Sequence, residues 1–527
     1  MKNITFKNYN KSQLALPVEL EVFIPDNHIV RIVDQIIDSI DISPLLELYK
    51  GGGSSAYHPK MLLKVIVYAY TQRIYSGRVI AKNLRENIYF MWISAKNTPN
   101  FRTINNFRSK HLRNEINTIF ANVIALLHES GYITLENCFV DGTKIEANAN
   151  KYSFVWRKSR DKFNQKLRDK INSTLEEIDK ALKSEEEEYQ DKDLEEVEAE
   201  LITPEKLKEV AKKIDESLAK EDLPKEKAKI LKKCKKDLTQ DQIPRLEKYT
   251  KQDEILGDRN SYSKTDYDAT FMRMKEDHMK NGQLKPAYNV QISTEDQFIL
   301  NYTIHQKPGD TTTLISHLNV MRERIGLIPT NIIADAGYGS LENYEFLSEN
   351  KLGNFVKYNN WLKDFRGKST SKIFVLKDFI YNKEKDYYTC INGEILYYQN
   401  TTSLKTATGY IQNTRNYHCS FCGDCWFREE CTTSKYGRTL SVNVLLEEHK
   451  RVVRENLNSE NGSKLRKKRS VDVEPVFGMI KNNRYFKRFM LRGLEKVNIE
   501  WGLLSLAHNF IKLLNKQKSM ALSLIHI

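Results

Sequence analysis

No stretch of the 527-residue chain holds the ~20 consecutive apolar residues that a helix needs to span a bilayer. The opening MKNITFKNYNKSQ lacks the apolar core of a secretory signal, so the expected location is the cytoplasm and no membrane partner is expected. Cysteine is scarce, seven in all and an odd number. Reduced thiols and a metal site fit that count better than a disulfide framework, because four of the seven crowd together. Acid is also in deficit: 69 Asp and Glu stand against 83 Lys and Arg, leaving a net charge of +14. So basic a chain meets a polyanion, for which nucleic acid is the default; the plain alternative is a merely basic surface. Apolar material is not lacking. Hydrophobic residues make up 40% and charged residues 29%, enough for real cores under a very polar surface. The length predicts roughly two to four modules.

Residues 1–130 read as helical. HPKMLLKVIVYAYTQRIYSG has the density of a buried helix closed by Gly77, and RVIAKNLRENIYFMWIS is a second helix. Thr103 is the expected cap of a short helix before a longer one that stops at Gly131. With Arg102, Arg108, Lys110 and Arg113 following, the region suits a helix-turn-helix-like DNA reader or an ordinary helical bundle with basic edges. Residues 131–158 open an α/β domain with the short strand CFVD. Residues 159–256 change to Lys and Glu, around SEEEEYQDKDLEEVEAE. Leu207, Val210, Ile214 and Leu218 recur there at helical spacing after Thr203-Pro204-Glu205, so a helical, partly coiled-coil insertion is expected; the alternative is a charged linker.

The α/β pattern resumes over 257–358. AYNVQIST alternates, with Tyr288, Val290 and Ile292 on one face, and FILNYTIHQ alternates again. Helix, strand, helix and strand follow, giving a mixed sheet covered by helices. Residues 359–440 form a β-rich insertion that ends in a cysteine cluster. Helices return over 441–520, and 521–527 is expected to be a non-native tail.

Two strands end on an acid followed by glycine: Asp141-Gly142 and, after an Ile-Ile lead-in, Asp335 with Gly337 and Gly339. Functional groups of α/β sheets gather beyond strand ends. Hard divalent cations take carboxylate oxygens there. Glu474 is the expected third acid, near a helix start beside Pro475, with Lys481 two turns on along the same face. Each acid alone also reads as a turn former or a first-turn residue. Asp266, Asp268 and Asp310 are rivals, with Asp310 more simply a helix cap and Asp268 a supporting residue.

The pieces FVDGTKIEANANKY, TDYDATFMRMK with AYNVQIS, IIADAGYGSLENYEFL and VEPVFGMIKNNRYFKRFMLRGLEKVNIEWGLLSLAHNFIKLL resemble the DDE transposases of bacterial insertion sequences. YHPKMLLKVIVYAY and SGRVIAKNLRENIYFMWIS are similar to that family's helical leader. The resemblance covers most of the chain apart from the charged insertion. It implies an RNase H-like catalytic domain in which Asp141, Asp335 and Glu474 bind two Mg²⁺ ions, with Mn²⁺ able to substitute. It also implies an enzyme that cleaves and transfers DNA strands at the element's ends. Many relatives carry a Tyr-Arg-Glu-Lys signature on the last catalytic helix. Here Glu474 and Lys481 keep the spacing, Arg469 is one residue off the arginine's place, and Arg466 stands roughly at the tyrosine's. The implied partners are double-stranded DNA, as terminal inverted repeats and target, and a second copy of the chain in a synaptic homodimer, associated with the nucleoid. Lys464, Arg466, Lys467, Lys468, Arg469, Lys481, Arg484, Lys487 and Arg488 form the densest basic run and are expected to share DNA binding with the helical leader. An RNase H-like nuclease without transposition and a catalytically inactive DNA-binding regulator are the alternatives.

Cys419, Cys422, Cys425 and Cys431 give C-x2-C-x2-C-x5-C. Tetrathiolate zinc is favoured, as a staple for an insertion with little core of its own; an iron–sulfur cluster is the runner-up. Cys138, Cys234 and Cys390 read as ordinary packing or surface residues.

Overall fold

The apolar run behind His58-Pro59 becomes a helix in the computed structural model, which describes residues 19–49, 52, 55–182, 202–219, 224–274, 282–366 and 374–525. The chain forms two compact units: Met1–Ile145 with Asn289–Ile527, and Glu146–Tyr288. Among the described residues no helix is long and apolar enough to cross a membrane.

The N-terminal helices of the first unit are α1 (Ile29–Ser39), α2 (Pro59–Thr71), α3 (Gly77–Glu86), α4 (Ile88–Ile93), α5 (Phe101–Asn106) and α6 (Leu112–Glu129). Pro59 opens α2, where its missing N–H costs nothing, and the His58 ring accepts from the Lys60 N–H at 3.2 Å. Buried Lys64 of α2 pairs with Asp34 (2.8 Å) and Asp38 (2.6 Å) of α1. The cap of α5 is Asn100, whose side chain accepts from the Thr103 N–H at 2.9 Å, so the cap falls three residues before the expected Thr103. Arg108 lies in a π-helical turn, Phe107–His111, and is buried. It donates to the Tyr70 hydroxyl (3.1 Å), the Tyr75 carbonyl (2.8 Å) and Asn105 (3.1 Å). Arg108 therefore ties the bundle together and is not a groove-facing cation. Strand β1 (Asn137–Glu146) follows.

In the second unit, β2 (Phe154–Trp156) leads into α7 (Arg157–Leu182), α8 (Pro204–Leu218), α9 (Lys225–Asp237) and α10 (Ile243–Leu256). Thr203 caps α8 as its sequence signalled, accepting from the Lys206 N–H at 3.3 Å. The Leu207–Ile214 stripe enters a core with Leu167, Ile171 and Leu231, with Val210 and Leu218 packed against it. The acid-rich run at 184–200 lies outside the described residues. Strands β3 (Ser261–Ser263) and β4 (Thr270–Arg273) complete this unit; β3 pairs with β2, and β4 pairs with Leu284–Ala287.

The first unit resumes within β5 (Leu284–Glu295) and continues through β6 (Phe298–His305), α11 (Leu314–Ile325), β7 (Asn331–Ala334), α12 (Leu341–Glu349) and β8 (Gly353–Val356). The strand order is β5-β1-β7-β8, with β6 antiparallel to β5. Strands β1, β7 and β8 are parallel, with Cys138 beside Ile332 and Ala334 beside Val356. Cys138, Phe139 and Val140 are all buried, as expected of a strand covered on both faces. This mixed sheet is consistent with the RNase H-like α/β fold. One detail differs from the sequence reading: β1 does not end at Asp141 but runs on to Glu146.

A separate antiparallel sheet follows: β9 (Ile380–Asn382), β10 (Tyr387–Thr389), β11 (Ile395–Lys405), β12 (Ile411–Cys419) and β13 (Arg438–Val442), in the order β13-β12-β11-β10-β9. Three helices close the chain: α13 (Val444–Asn458), α14 (Glu460–Gly478) and α15 (Leu494–Ile525). Helix α15 packs on α2, α6 and β6 through buried residues such as Trp501, Leu503 and Leu504. It extends into residues 521–527, the expected tail, as far as Ile525; His526 and Ile527 lie outside the described residues.

Candidate active site

Asp141 sits within β1, Asp335 one residue beyond β7, and Glu474 near the end of α14. The parallel pairing of β1 with β7 puts the first two side by side. Arg469, one turn before Glu474 on α14, joins all three. Its Nη2 lies 3.2 Å from Asp141 and 3.7 Å from Asp335, and its Nη1 lies 3.2 Å from Glu474. The Asp141 side chain is 13% exposed, whereas those of Asp335 and Glu474 are 44% and 55% exposed, so the cluster opens to solvent on their side.

Glu474 does not stand at a helix start. Helix α14 begins at Glu460, capped by Ser459, and Pro475 lies inside it. A proline inside a helix frees the carbonyl four residues back. Here that carbonyl belongs to Val471, and the Gln297 side chain donates to it at 2.8 Å. The helix thus survives its proline, and the face carrying Arg469 and Glu474 is held over β7.

Asp335 also organises its own turn, accepting from the Gly337 N–H at 2.8 Å. A Cβ on Gly339 would lie 2.6 Å from the Lys357 carbonyl, so the turn can pass the end of β8 only without a side chain. Gly142 serves space as well, and not a turn. A Cβ there would lie 2.3 Å from Gln291 Nε2 and 2.8 Å from Asp310 Oδ1. Asp310 is no helix cap: its carboxylate accepts from Asn289 (2.8 Å) and Gln291 (2.9 Å). Gln291 in turn accepts from the Tyr338 hydroxyl. Burial first, then the charges of Asp310, Asp141 and Asp335, push the Tyr338 hydroxyl well above its usual pKa, so it stays a proton donor. Asp266 and Asp268 belong to the second unit, where Asp266 accepts from Tyr288 at 3.0 Å.

Lys357 is a site residue that the sequence reading passed over. It follows β8, and the β7–β8 register sets it beside Asp335. Burial, then the charges of Arg469 and Arg466, hold its ammonium below the ordinary lysine pKa, while Asp335 and Glu474 pull the other way. Its Nζ stands 5.6 Å from the Trp361 ring. Arg466 stacks over Trp361 (4.8 Å) and Phe365 (5.1 Å).

The expected basic run divides. Lys467, Lys487 and Arg488 are exposed, and Lys464 makes an exposed pair with Glu460 at 2.6 Å. Lys468 pairs with Asp296 at 2.8 Å. Arg484 is buried and donates to the Tyr70 (3.1 Å) and Thr71 (3.3 Å) carbonyls, capping the end of α2; it is not a DNA-facing cation. Lys481 is also buried. It lies in a π-helical turn, Met479–Asn483, which breaks the α-helical register that would have aligned it with Glu474.

Cys419, Cys422, Cys425 and Cys431 line one narrow pocket, and Cys390 lines it with them. Burial, with Cys422 and Cys390 nearby, pushes the Cys419 thiol up to about 12. Among the described residues, no group of three or more His, Cys, Asp or Glu side chains is gathered closely enough to hold a metal ion. The acids converge instead on a guanidinium, and the thiols face a shared pocket without meeting at a point.

Two family models match the sequence. Residues 389–514, which include the cysteine pocket and the helix of Glu474, match one described as a transposase DDE domain. Residues 18–110 match one described as a transposase domain (DUF772). Nothing among curated proteins or solved structures matches the chain.

Proposed function

We propose that the chain is a DDE-type transposase of an insertion sequence, a reading supported by both matched transposase domains, and that it binds its element's terminal inverted repeats, cleaves DNA strands there and joins the freed 3′ ends to target DNA. One observation carries this reading: Asp141, Asp335 and Glu474, from three distant parts of the chain, converge on one guanidinium.

The donor set fits a hard divalent cation, since it offers carboxylate oxygens around a point that already attracts positive charge. Asp141, Asp335 and Glu474 would hold Mg²⁺, as a pair of ions, with Mn²⁺ able to substitute. Bound there, such ions would supply charge stabilisation for phosphoryl transfer. The chain's own residues do the positioning. Arg469 can pass from the carboxylates to a phosphate, because its planar fork suits either anion. Lys357 and Arg466 flank the cluster and orient the DNA backbone. Exposed Lys467, Lys487 and Arg488, with the helical leader, contact phosphates outside it. A synaptic homodimer on double-stranded DNA, at the nucleoid, completes the reading. Cys419, Cys422, Cys425 and Cys431 supply a structural zinc site: soft donors on a small sheet suit zinc, whose charge offsets the cost of ionising buried thiols.

Asp335→Asn tests the proposal. It keeps the shape and removes the charge, so Mg²⁺-dependent cleavage of element ends should fall by several orders of magnitude, each tenfold being about 1.4 kcal/mol. Gel-shift binding to the same ends should persist. Cleavage near the wild-type rate would show the acids to be misassigned, and joint loss of binding and cleavage would mark Asp335 as a structural turn residue.

A further inference from the structure

The turn between β10 and β11 lies at the same end of its sheet as the cysteine-rich connection between β12 and β13. The register requires this. Thr389 pairs with Ile395 across the first hairpin, and Tyr397 pairs with His418, so the start of β11 lies beside the end of β12. Cys390 occupies the first position after β10, and Cys419 the last of β12. The Cys390 carbonyl accepts from the Gly393 N–H at 3.0 Å, and its N–H donates to the Glu394 carbonyl at 2.9 Å, which fixes the thiol in a tight turn. Cys390 lines the same pocket as Cys419, Cys422, Cys425 and Cys431.

Resting on the zinc reading above, we propose that Cys390 is a ligand of that zinc, so the ion bridges the β10–β11 turn to the β12–β13 connection. Zinc takes four ligands, so one thiol of the 419–431 segment stands outside the set. A bridge of this kind explains the placement. Four ligands from one short segment would tie only that segment, whereas Cys390 pins two separate loops of a sheet with a small core. The surroundings suit thiolates. Arg428 donates to the Cys422 carbonyl at 2.5 Å, and Arg438 donates to the Cys431 carbonyl at 2.9 Å, so two guanidinium groups line a pocket that would hold a doubly negative Zn(Cys)₄ centre.

The test uses full-length protein. Purified wild type should contain about one zinc, and Cys390→Ser should lose affinity in chelator competition. Since even an outer-shell partner costs about 10–100-fold, loss of a ligand should cost at least that. Cys390→His should recover much of the loss, because imidazole also ligates zinc and a packing role would gain nothing from it; Cys234→Ser should match wild type. Serine substitution of each clustered cysteine in turn should leave one variant with unchanged zinc. In wild-type protein, alkylation mapped by mass spectrometry should spare Cys390 when zinc is bound and reach it after chelation, which tests the assignment even if the serine variant fails to fold. Equal zinc affinity in Cys390→Ser, with loss in all four clustered-cysteine variants, would overturn Cys390 and leave the four-cysteine reading standing. A wild type that takes up no zinc, or that carries iron with visible colour, would overturn both.

Discussion

Arg469 stands 3.2 Å from Asp141, and the same guanidinium reaches the other two acids of the cluster. It therefore occupies, electrostatically, the place where a divalent cation would be held. Unit charges about 4 Å apart near a protein surface attract by about 4 kcal/mol, so any cation entering here competes with the arginine. Arg469→Ala should lower the half-saturating Mg²⁺ concentration for end cleavage by about tenfold, equivalent to ~1.4 kcal/mol. The rate at saturating Mg²⁺ should fall, because a phosphate partner is gone. Magnesium titrations of cleavage for both proteins decide it; a higher Mg²⁺ requirement in the variant would mean that the arginine assists the metal.

Lys487 and Arg484 lie three residues apart in the same basic run and should behave differently. Neutralising exposed Lys487 should lower the magnitude of the log-affinity versus log-salt slope by about 0.9 on duplex DNA. Arg484→Ala should leave that slope alone and destabilise the fold, since it strips the cap from α2. Salt-dependent binding isotherms alongside melting curves separate the two.

Lys64 is buried between Asp34 and Asp38. Lys64→Met leaves Asp34 buried without its cation and should cost about 3–5 kcal/mol. Adding Asp34→Leu should return most of that stability. Chemical denaturation followed through Trp92, in the same helical region, reports both steps.

Glu500 is fully buried and accepts from the Met490 (3.0 Å) and Leu491 (2.9 Å) N–H groups. Burial pushes its carboxyl up to about 7, against 4.5 ordinarily, and the two N–H groups and Arg108 offset this only in part. Between those values the folded state keeps a proton that the unfolded state has lost, so stability falls as pH rises from about 4.5 to about 7. The loss from this group is on the order of 3 kcal/mol. Glu500→Gln should flatten that limb, as measured by denaturant midpoints at pH 5 and pH 8.

The sheet was legible because its strands announce themselves: the Ile-Ile lead-in to Asp335 and the alternation before Glu295 do not suit helices. Asp141 is singled out in the sequence by a partly wrong argument. Gly142 looked like a turn signal, yet it is small because Gln291 and Asp310 press against it, a contact that forms only in the folded sheet. Pro475 misled more. Proline favours a first helical turn, and nothing local reveals that Gln297, far away in sequence, takes the carbonyl it frees. Lys357 and Cys390 were out of reach because each depends on a strand register, of β8 on β7 and of β12 on β11. Arg108 and Arg484 show the limit of reading charge from composition: both guanidinium groups are spent on backbone carbonyls inside the protein.

The second unit leaves and re-enters the first through β1 and β5, which are neighbours in the sheet. The Ala147 N–H donates to the Pro286 carbonyl at 2.8 Å, so the two ends of the excursion lie side by side. Closing so long an excursion adds little entropic penalty once the sheet has formed, since the cost grows only with the logarithm of loop length. In evolutionary terms the junction is a cassette slot. Exchanging the residues between the two strands, 147–283, for a shorter module should therefore leave β1 beside β7 and Asp141 beside Asp335.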